Sequence, residues 1–489
     1  MDLRRKLFRG VAVLGLSQVV SQGCSVVRNI LIARIVSPAD FGISAIFVMV
    51  VSFIQMMTNF SPGVLLVQAA DGNEPRFQQT AQFVLFLRGM LGATVIVISA
   101  PFLSYLFNIP DATGAFYALA LVPLFNGFCH MDQKRIERNM RFGPGASIEM
   151  GTQLIVLLLA WPIGKWYGDY RAMLALLLIK QFLSMVGTQL VAERKYRWNR
   201  DTQNLKRFWS FGAPLLVNGL LMFGILQGDR FIMGAAKKLF GSGYDMTHVG
   251  YYSAAFMLVM SPVMMVGKIS SSLALPVLSK LQGSQTVFEE KASFYNEVMA
   301  LLASVFGGIF IISGDKLLLL VYGETYRPAA VLMVWLTVLW AIRLLRMVPA
   351  NITIAMGQTK TLMYTNIIRF LSIAGIVPVV VHEMDFVWVA IVGALGEAAA
   401  YLINLLLNKL HVGIPFSWSL RPMSLFVISL VAANMFRMAL FQINCNASWL
   451  VIGLALLLFN LLLLFLFRSV ILRELKYLKQ FSNKLKFLK

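Results

Sequence analysis

Charged side chains set inside long apolar stretches carry most of the chemical potential of this sequence. Arg28, Arg88, Lys180, Arg230, Lys268, Arg369 and Arg437 fall within apolar runs, as do the acids Asp229 and Glu397, with Glu149 and Glu297 nearer the ends of theirs. A charge at the centre of a membrane-crossing helix costs roughly 2.5–3.5 kcal/mol even on a lenient insertion scale, so each needs a water-filled cavity or a partner. The excess of positive charge predicts a lumen that receives an anion; a cation or proton-coupled drug pump predicts the opposite balance. Asp229 and Arg230 are adjacent and partly neutralise one another. Arg28, Arg230 and Arg437 lie close enough to one end of their runs, and Lys268 to the other, to extend toward the surface along their own stems. Arg88, Lys180 and Arg369 fall nearer the middle, where that escape is harder. Glu397 is also central, placed either to pair with one of these cations or to carry a coupling proton.

Other constellations are missing from the sequence. There is no His pair at zinc-binding spacing, no Gly-x-Ser-x-Gly and no glycine-rich phosphate loop, so neither a catalytic residue nor a cofactor or metal is expected. Cys24, Cys129 and Cys445 show no pairing pattern. Gln18, Gln22, Asn218 and Gln227 sit at helical intervals, suited to sugar hydroxyls or equally to helix packing. Pro101, Pro214, Pro262 and Pro378 predict bends or local openings of their helices.

The elements that position these residues follow from composition. Of 489 residues, 58% are hydrophobic and 13% charged, about half the charged share of a soluble domain. The expected fold is all-α: a polytopic integral membrane protein of about 14 transmembrane helices, each needing about 20 apolar residues. The expected spans are 10–36, 41–67, 79–107, 115–129, 146–167 and 171–191, then 208–234, 249–277, 294–321, 328–347, 363–381 and 387–408, and finally 422–441 and 447–467. The start of the chain imitates a signal peptide, but its apolar run continues past Cys24 to Val36, so it reads as the first membrane helix.

The chain carries 43 Lys and Arg against 22 Asp and Glu. These cations are spread over alternate connections rather than clustered on one element, which argues against nucleic acid. Most of them fall on the side that holds both termini, so both termini are expected in the cytoplasm. Two dense groups, Lys134, Arg135, Arg138 and Arg141, then Arg194, Lys195, Arg197, Arg200, Lys206 and Arg207, suit anionic phospholipid headgroups. The basic tail spaces Ile471, Leu475, Leu478, Leu485 and Leu488 as a surface-lying amphipathic helix.

An internal repeat organises the chain. Val27-Arg28-Asn29-Ile30-Leu31-Ile32 resembles Asp229-Arg230-Phe231-Ile232-Met233-Gly234. After a short polar stretch, Phe41-Gly42-Ile43-Ser44-Ala45-Ile46-Phe47 similarly resembles Val249-Gly250-Tyr251-Tyr252-Ser253-Ala254-Ala255-Phe256. The offset of about 200 residues predicts two pseudo-symmetric six-helix halves, 1–192 and 208–410, joined by a basic cytoplasmic linker at 193–207. Two additional helices at 411–467 and the tail at 468–489 complete the expected organisation. Membrane repeats of this kind point to transporters whose halves rock about a central site.

The stretch Leu31-Ile32-Ala33-Arg34-Ile35-Val36-Ser37-Pro38-Ala39-Asp40-Phe41-Gly42 is similar to the start of the polysaccharide-transporter (Wzx-like) family. So are Phe211-Gly212-Ala213-Pro214-Leu215 leading to Asp229-Arg230, the Gly250-Tyr251-Tyr252-Ser253 turn, Leu275-Pro276-Val277-Leu278-Ser279 and Tyr322-Gly323-Glu324-Thr325-Tyr326-Arg327-Pro328-Ala329. The family belongs to the multidrug/oligosaccharidyl-lipid/polysaccharide exporter superfamily. The resemblance implies a flippase of undecaprenyl-pyrophosphate-linked oligosaccharides, resident in the bacterial inner membrane and serving exopolysaccharide, capsule or O-antigen assembly. Implied partners are the lipid-linked substrate and polysaccharide polymerase or export machinery. Related sequences often carry an arginine soon after the Gly-Tyr-Tyr-Ser turn, where this chain has Ala254 and Ala255, so anion contacts must come from elsewhere.

Two other readings stay open on the sequence. One is a drug or cation exporter on the same architecture, which the positive charge disfavours. The other is a membrane-embedded polymerase or glycosyltransferase, for which a large loop bearing acids or histidines is expected and not found.

Overall fold

A computed structural model describes residues 2–58, 61–282, 285–443 and 449–468. Cys445 and nearly all of the expected amphipathic tail lie outside the described residues. The described chain is helical, with no strand. The helices are α1 (Asp2–Ala33), α2 (Pro38–Met57), α3 (Pro62–Gln68), α4 (Pro75–Leu106), α5 (Thr113–Leu119), α6 (Leu121–Gly127), α7 (Asp132–Arg138), α8 (Gly143–Tyr167) and α9 (Arg171–Val191). They continue as α10 (Thr202–Phe240), α11 (Met246–Lys280), α12 (Gln285–Tyr322), α13 (Met333–Ala355), α14 (Thr359–Ile373), α15 (Ile376–Val381), α16 (Val387–Val412), α17 (Ser417–Ile443) and α18 (Trp449–Leu466).

Helix lies on every segment where a span was expected, yet the expected count of about 14 is not reached on length and apolarity. Among the described residues 11 helices are long and apolar enough to cross a membrane, or up to 12 if one bent pair is a single span. That pair, Pro110–Gly127 and Asp132–Arg138, turns by 48° at the end of the expected span 115–129. The expected span 41–67 likewise breaks: α2 stops at Met57, and α3 restarts with Pro62 in its first turn. α18 is apolar but short. The chain is a multi-pass membrane protein.

Local chemistry sets the helix starts. Ser37 caps α2, its Oγ accepting the Asp40 amide at 3.1 Å, with Pro38 at the first helical position where its missing N–H costs nothing. Asp201 caps α10 through the amides of Gln203 and Asn204.

Contacts divide the chain into two compact units. The first holds residues 1–254 and 377–384, the second 255–376 and 385–489. In the first, α1 packs on α8, α8 on α9, α4 on α6, and α10 on α2 and α4. Gly89 of α4 and Gly127 of α6 let the two backbones meet, since a Cβ on Gly89 would stand 2.6 Å from the Gly127 Cα. In the second, α13 packs on α16 and α12, α14 packs on α16, and α12 also carries α17 and α18.

Candidate functional site: buried charges in each unit

The densest intramembrane charge lies in the second unit. Glu397, in the middle of α16, accepts from Arg346 Nε at 2.6 Å and from Arg369 Nε at 3.0 Å. Arg343, one turn before Arg346 on α13, acts on both Glu397 and Arg369 through its charge. Its guanidinium lies 4.6 Å from the centre of the Trp340 ring, a cation–π contact. All four charged groups are buried, none more than 8% exposed. Arg369 Nη1 also donates to Asn366 Oδ1, while its buried Nη2 has no hydrogen-bond partner.

Three guanidiniums facing one carboxylate leave positive charge in a low-dielectric enclosure. Desolvating each ion costs several kcal/mol, and a single carboxylate returns only part of that. Such a cluster repels cations and stabilises an anion. Below it, α13 and α16 are joined again: the Pro349 carbonyl accepts from Asn408 Nδ2 at 2.9 Å and from Thr353 Oγ1 at 2.7 Å, and Thr353 Oγ1 also meets Asn408 Oδ1 at 2.7 Å. Elsewhere in this unit Arg437 of α17 pairs with Asp315 of α12 at 2.8 Å. Lys268 is exposed on α11.

The first unit distributes its charges differently. Arg28 is buried and donates to Ser25 Oγ at 3.2 Å and Asn29 Oδ1 at 3.0 Å. Lys180 of α9 feels the charges of Glu149 on α8 and Arg28 on α1. Arg230, equivalent to Arg28 in the repeat, is also buried and donates to Gln227 Oε1 at 2.6 Å. Both arginines therefore reach a polar side chain three residues earlier on their own helix. Asp229 accepts from Tyr252 Oη at 2.7 Å, joining α10 to α11. Arg88 of α4 reaches α2, with Nε 3.2 Å from Thr58 Oγ1 and Nη2 2.9 Å from the Gln55 carbonyl. Ala254 and Ala255, which follow the Gly250-Tyr251-Tyr252-Ser253 turn, are both fully buried.

The basic groups flanking α7 turn largely onto the protein itself. Asp132 accepts from Arg135, Gln78 and the amides of Glu193 and Arg194. Glu193 accepts from Arg135 at 2.7 Å and Arg141 at 2.6 Å, and these two guanidiniums hold its carboxyl below the usual range. Arg207 likewise holds Asp71 down through a 2.6 Å ion pair. Arg138 donates to the carbonyls of Val67 and Ala70 at the end of α3.

A family model described as "Polysaccharide biosynthesis protein" matches residues 31–331. The chain belongs to that family. The matched stretch includes Arg88, Lys180, Asp229, Arg230 and Lys268, and ends before the arginine cluster of α13. Among curated relatives of the polysaccharide biosynthesis family, the teichuronic acid biosynthesis protein TuaB of Bacillus subtilis (strain 168) is 22% identical over 319 residues, 64% of this chain. That match spans 63% of TuaB's own length. The solved structure of the lipid II flippase MurJ in an inward closed conformation superposes with a TM-score of 0.73 at 14% identity, covering 96% of this chain and 99% of MurJ. An inward-facing multidrug resistance MATE family transporter of the MOP superfamily gives 0.64 at 14% identity, covering 83% of this chain and 98% of that one. The fold is that of these membrane transporters. The family match agrees with the Wzx-like resemblance of the sequence.

Of the residues singled out in the sequence, Arg369 and Glu397 come together, and Arg437 finds a partner. Arg28 and Lys180 come within electrostatic reach of one another. Arg343, Arg346 and Asp315 were missed. The expected span 328–347 put both arginines in its last turn, whereas α13 continues to Ala355 and sets them mid-helix. The available signal was their spacing of three within an apolar run that resumes after Pro349.

Proposed function

We propose that this member of the polysaccharide biosynthesis family is a flippase. It carries an undecaprenyl-pyrophosphate-linked oligosaccharide repeat unit from the cytoplasmic to the periplasmic leaflet of the bacterial inner membrane, for exopolysaccharide, capsule or O-antigen assembly. The observation that carries this reading is the surplus of buried arginine around Glu397 on a fold shared with a lipid II flippase. Positive charge held inside the membrane lowers the cost of bringing a pyrophosphate through it, while the polyprenyl chain stays in lipid. Arg28, Arg88, Lys180, Asp229, Arg230, Lys268, Arg369, Glu397 and Arg437, with Arg343 and Arg346 added, are the proposed headgroup contacts and their partners. Both termini face the cytoplasm in this reading, translocation proceeds by alternating access through a cationic cavity, and polymerase or export machinery consumes the product. Lys195, Arg197 and Lys206 face anionic phospholipid.

The likeness to a MATE transporter supports a second reading, a drug or cation exporter. Net positive intramembrane charge opposes it, because a cation would cross the same field at a cost. The deciding experiment depletes the protein in cells and measures which leaflet holds intact lipid-linked repeat units, using a periplasm-only glycan-modifying enzyme as reporter. Accumulation of units facing the cytoplasm is expected. Normal arrival of units in the periplasm overturns the flippase reading.

A further inference from the structure

An anion pocket separate from the Glu397 cluster lies in the first unit. Ser61, Gln68, Leu85, Arg88, Lys134 and Glu137 are among the residues lining an open cleft of about 460 Å³ formed by α3, α4 and α7. That volume is within the roughly 300–1,000 Å³ of small-molecule sites. Arg88 is one of its two cations. Its bonds to Thr58 Oγ1 and the Gln55 carbonyl fix the plane of its guanidinium. It lies thirteen residues after Pro75, about 20 Å along α4 from the start of that helix at 1.5 Å per residue.

Lys134 is the other cation. Its stem crosses Gly63, where an added Cβ would stand 3.2 Å from Lys134 Cγ. Its Nζ is 2.7 Å from Glu137, and its side chain remains 41% exposed. Arg138 fastens the α3 wall by donating to the Val67 and Ala70 carbonyls. The lining thus holds two cations and one carboxylate, and Val64, Val67 and Met131 add apolar surface.

We propose that this pocket is a loading site for a diphosphate ester whose other substituent is an isoprenoid hydrocarbon, taken up before the headgroup reaches the arginine cluster. The inference rests on the flippase reading and adds to it a place and a ligand chemistry. Two cations lining one cleft suit an anion of more than one charge, with Arg88 as the planar donor and Lys134 as the point charge. The apolar wall beside them favours an ester carrying hydrocarbon over a fully hydrated nucleotide sugar bearing the same diphosphate.

The test is direct binding to purified full-length protein in nanodiscs, with farnesyl diphosphate as probe and UDP-glucose and inorganic pyrophosphate as competitors. Expected is saturable farnesyl diphosphate binding, weakened about tenfold or more by Arg88→Gln and by Lys134→Gln, as for loss of a charge-assisted contact. Arg171→Gln, at an exposed Asp169 pair, binds as the native chain does. Arg88→Lys controls for folding: it keeps the charge, and a native Tm with partial affinity supports the site. Unchanged affinity in both Gln variants overturns the proposal, as does tighter binding of UDP-glucose than of farnesyl diphosphate. Unchanged affinity combined with cytoplasmic stranding of repeat units on depletion removes the pocket and keeps the flippase. Lost affinity with a normal leaflet distribution keeps the pocket and removes the flippase.

Discussion

Gly42 and Gly250, matched positions of the internal repeat, press against one another. A Cβ on Gly42 would stand 3.0 Å from the Gly250 nitrogen and closer still to the Met246 carbonyl oxygen; one on Gly250 would strike the Pro38 carbonyl. The starts of α2 and α11 therefore cross backbone to backbone, and any side chain there is a wedge. Gly42→Val or Gly250→Val should destabilise by about 1–3 kcal/mol, as overpacking does, with Gly42→Ala milder than Gly42→Val. Thermal unfolding of detergent-solubilised protein checks this; a Tm equal to the native value in both valine variants would show that the crossing yields without cost.

Glu397 and the arginines around it should not be equivalent in substitution. Glu397→Gln strips the one carboxylate from three guanidiniums and should cost about 3–5 kcal/mol, the usual penalty for breaking a buried pair. Arg343→Gln removes surplus charge while Arg346 and Arg369 keep their partner, so it should cost less or even raise the Tm. If the surplus charge serves transport, Arg343→Gln nevertheless reduces polysaccharide export. Stability and export measured on the same variants separate the two roles, and full export by a stable Arg343→Gln protein would remove Arg343 from the substrate path.

Arg437 and Asp315 lend themselves to a double-mutant cycle. Both are about a quarter exposed, so solvent screening reduces the pair's worth. A coupling energy of about 0.5–1 kcal/mol is expected, near the low end of values for contacting residues. Additive effects of Arg437→Gln and Asp315→Asn would mean the contact contributes nothing to folding.

Glu193 and Asp71 supply a pH test. Arginine contacts depress both carboxyls in the folded protein. Their stabilisation is therefore complete above the ordinary carboxylate value of about 4 and is lost as pH falls through the lower folded value. The Tm gap between native protein and a Glu193→Gln, Asp71→Asn variant should be constant from neutral pH down to about pH 5 and close in stronger acid. A gap that widens on acidification contradicts the assignment.

The membrane fold was legible because apolar runs of spanning length announce themselves whatever they pack against. Breaks inside those runs were less so. The stop of α2 before Pro62 depends on a short segment that no period of 3.6 distinguishes from a continuing helix. Arg369 and Glu397 stood out as charges far from any helix end. Arg343 and Arg346 did not, because Pro349 reads as a boundary, and only the folded chain shows how its carbonyl is satisfied by Asn408 and Thr353. The basic groups near α7 looked like a lipid-facing surface because a sequence shows charge and not its partners. Asp132 and Glu193, which gather Arg135 and Arg141, come from connections far apart in the chain.

α13 and α16 are fastened at two heights, by Arg346 to Glu397 and, about one to two turns further on, by Pro349 and Thr353 to Asn408. A single fastening would leave a pivot; two remove both sliding and swivelling. Mechanically the pair is closer to one beam than to two rods. Arg343 and Arg346, both on α13, are therefore held at a set spacing from Glu397 on α16 for as long as both fastenings stay made.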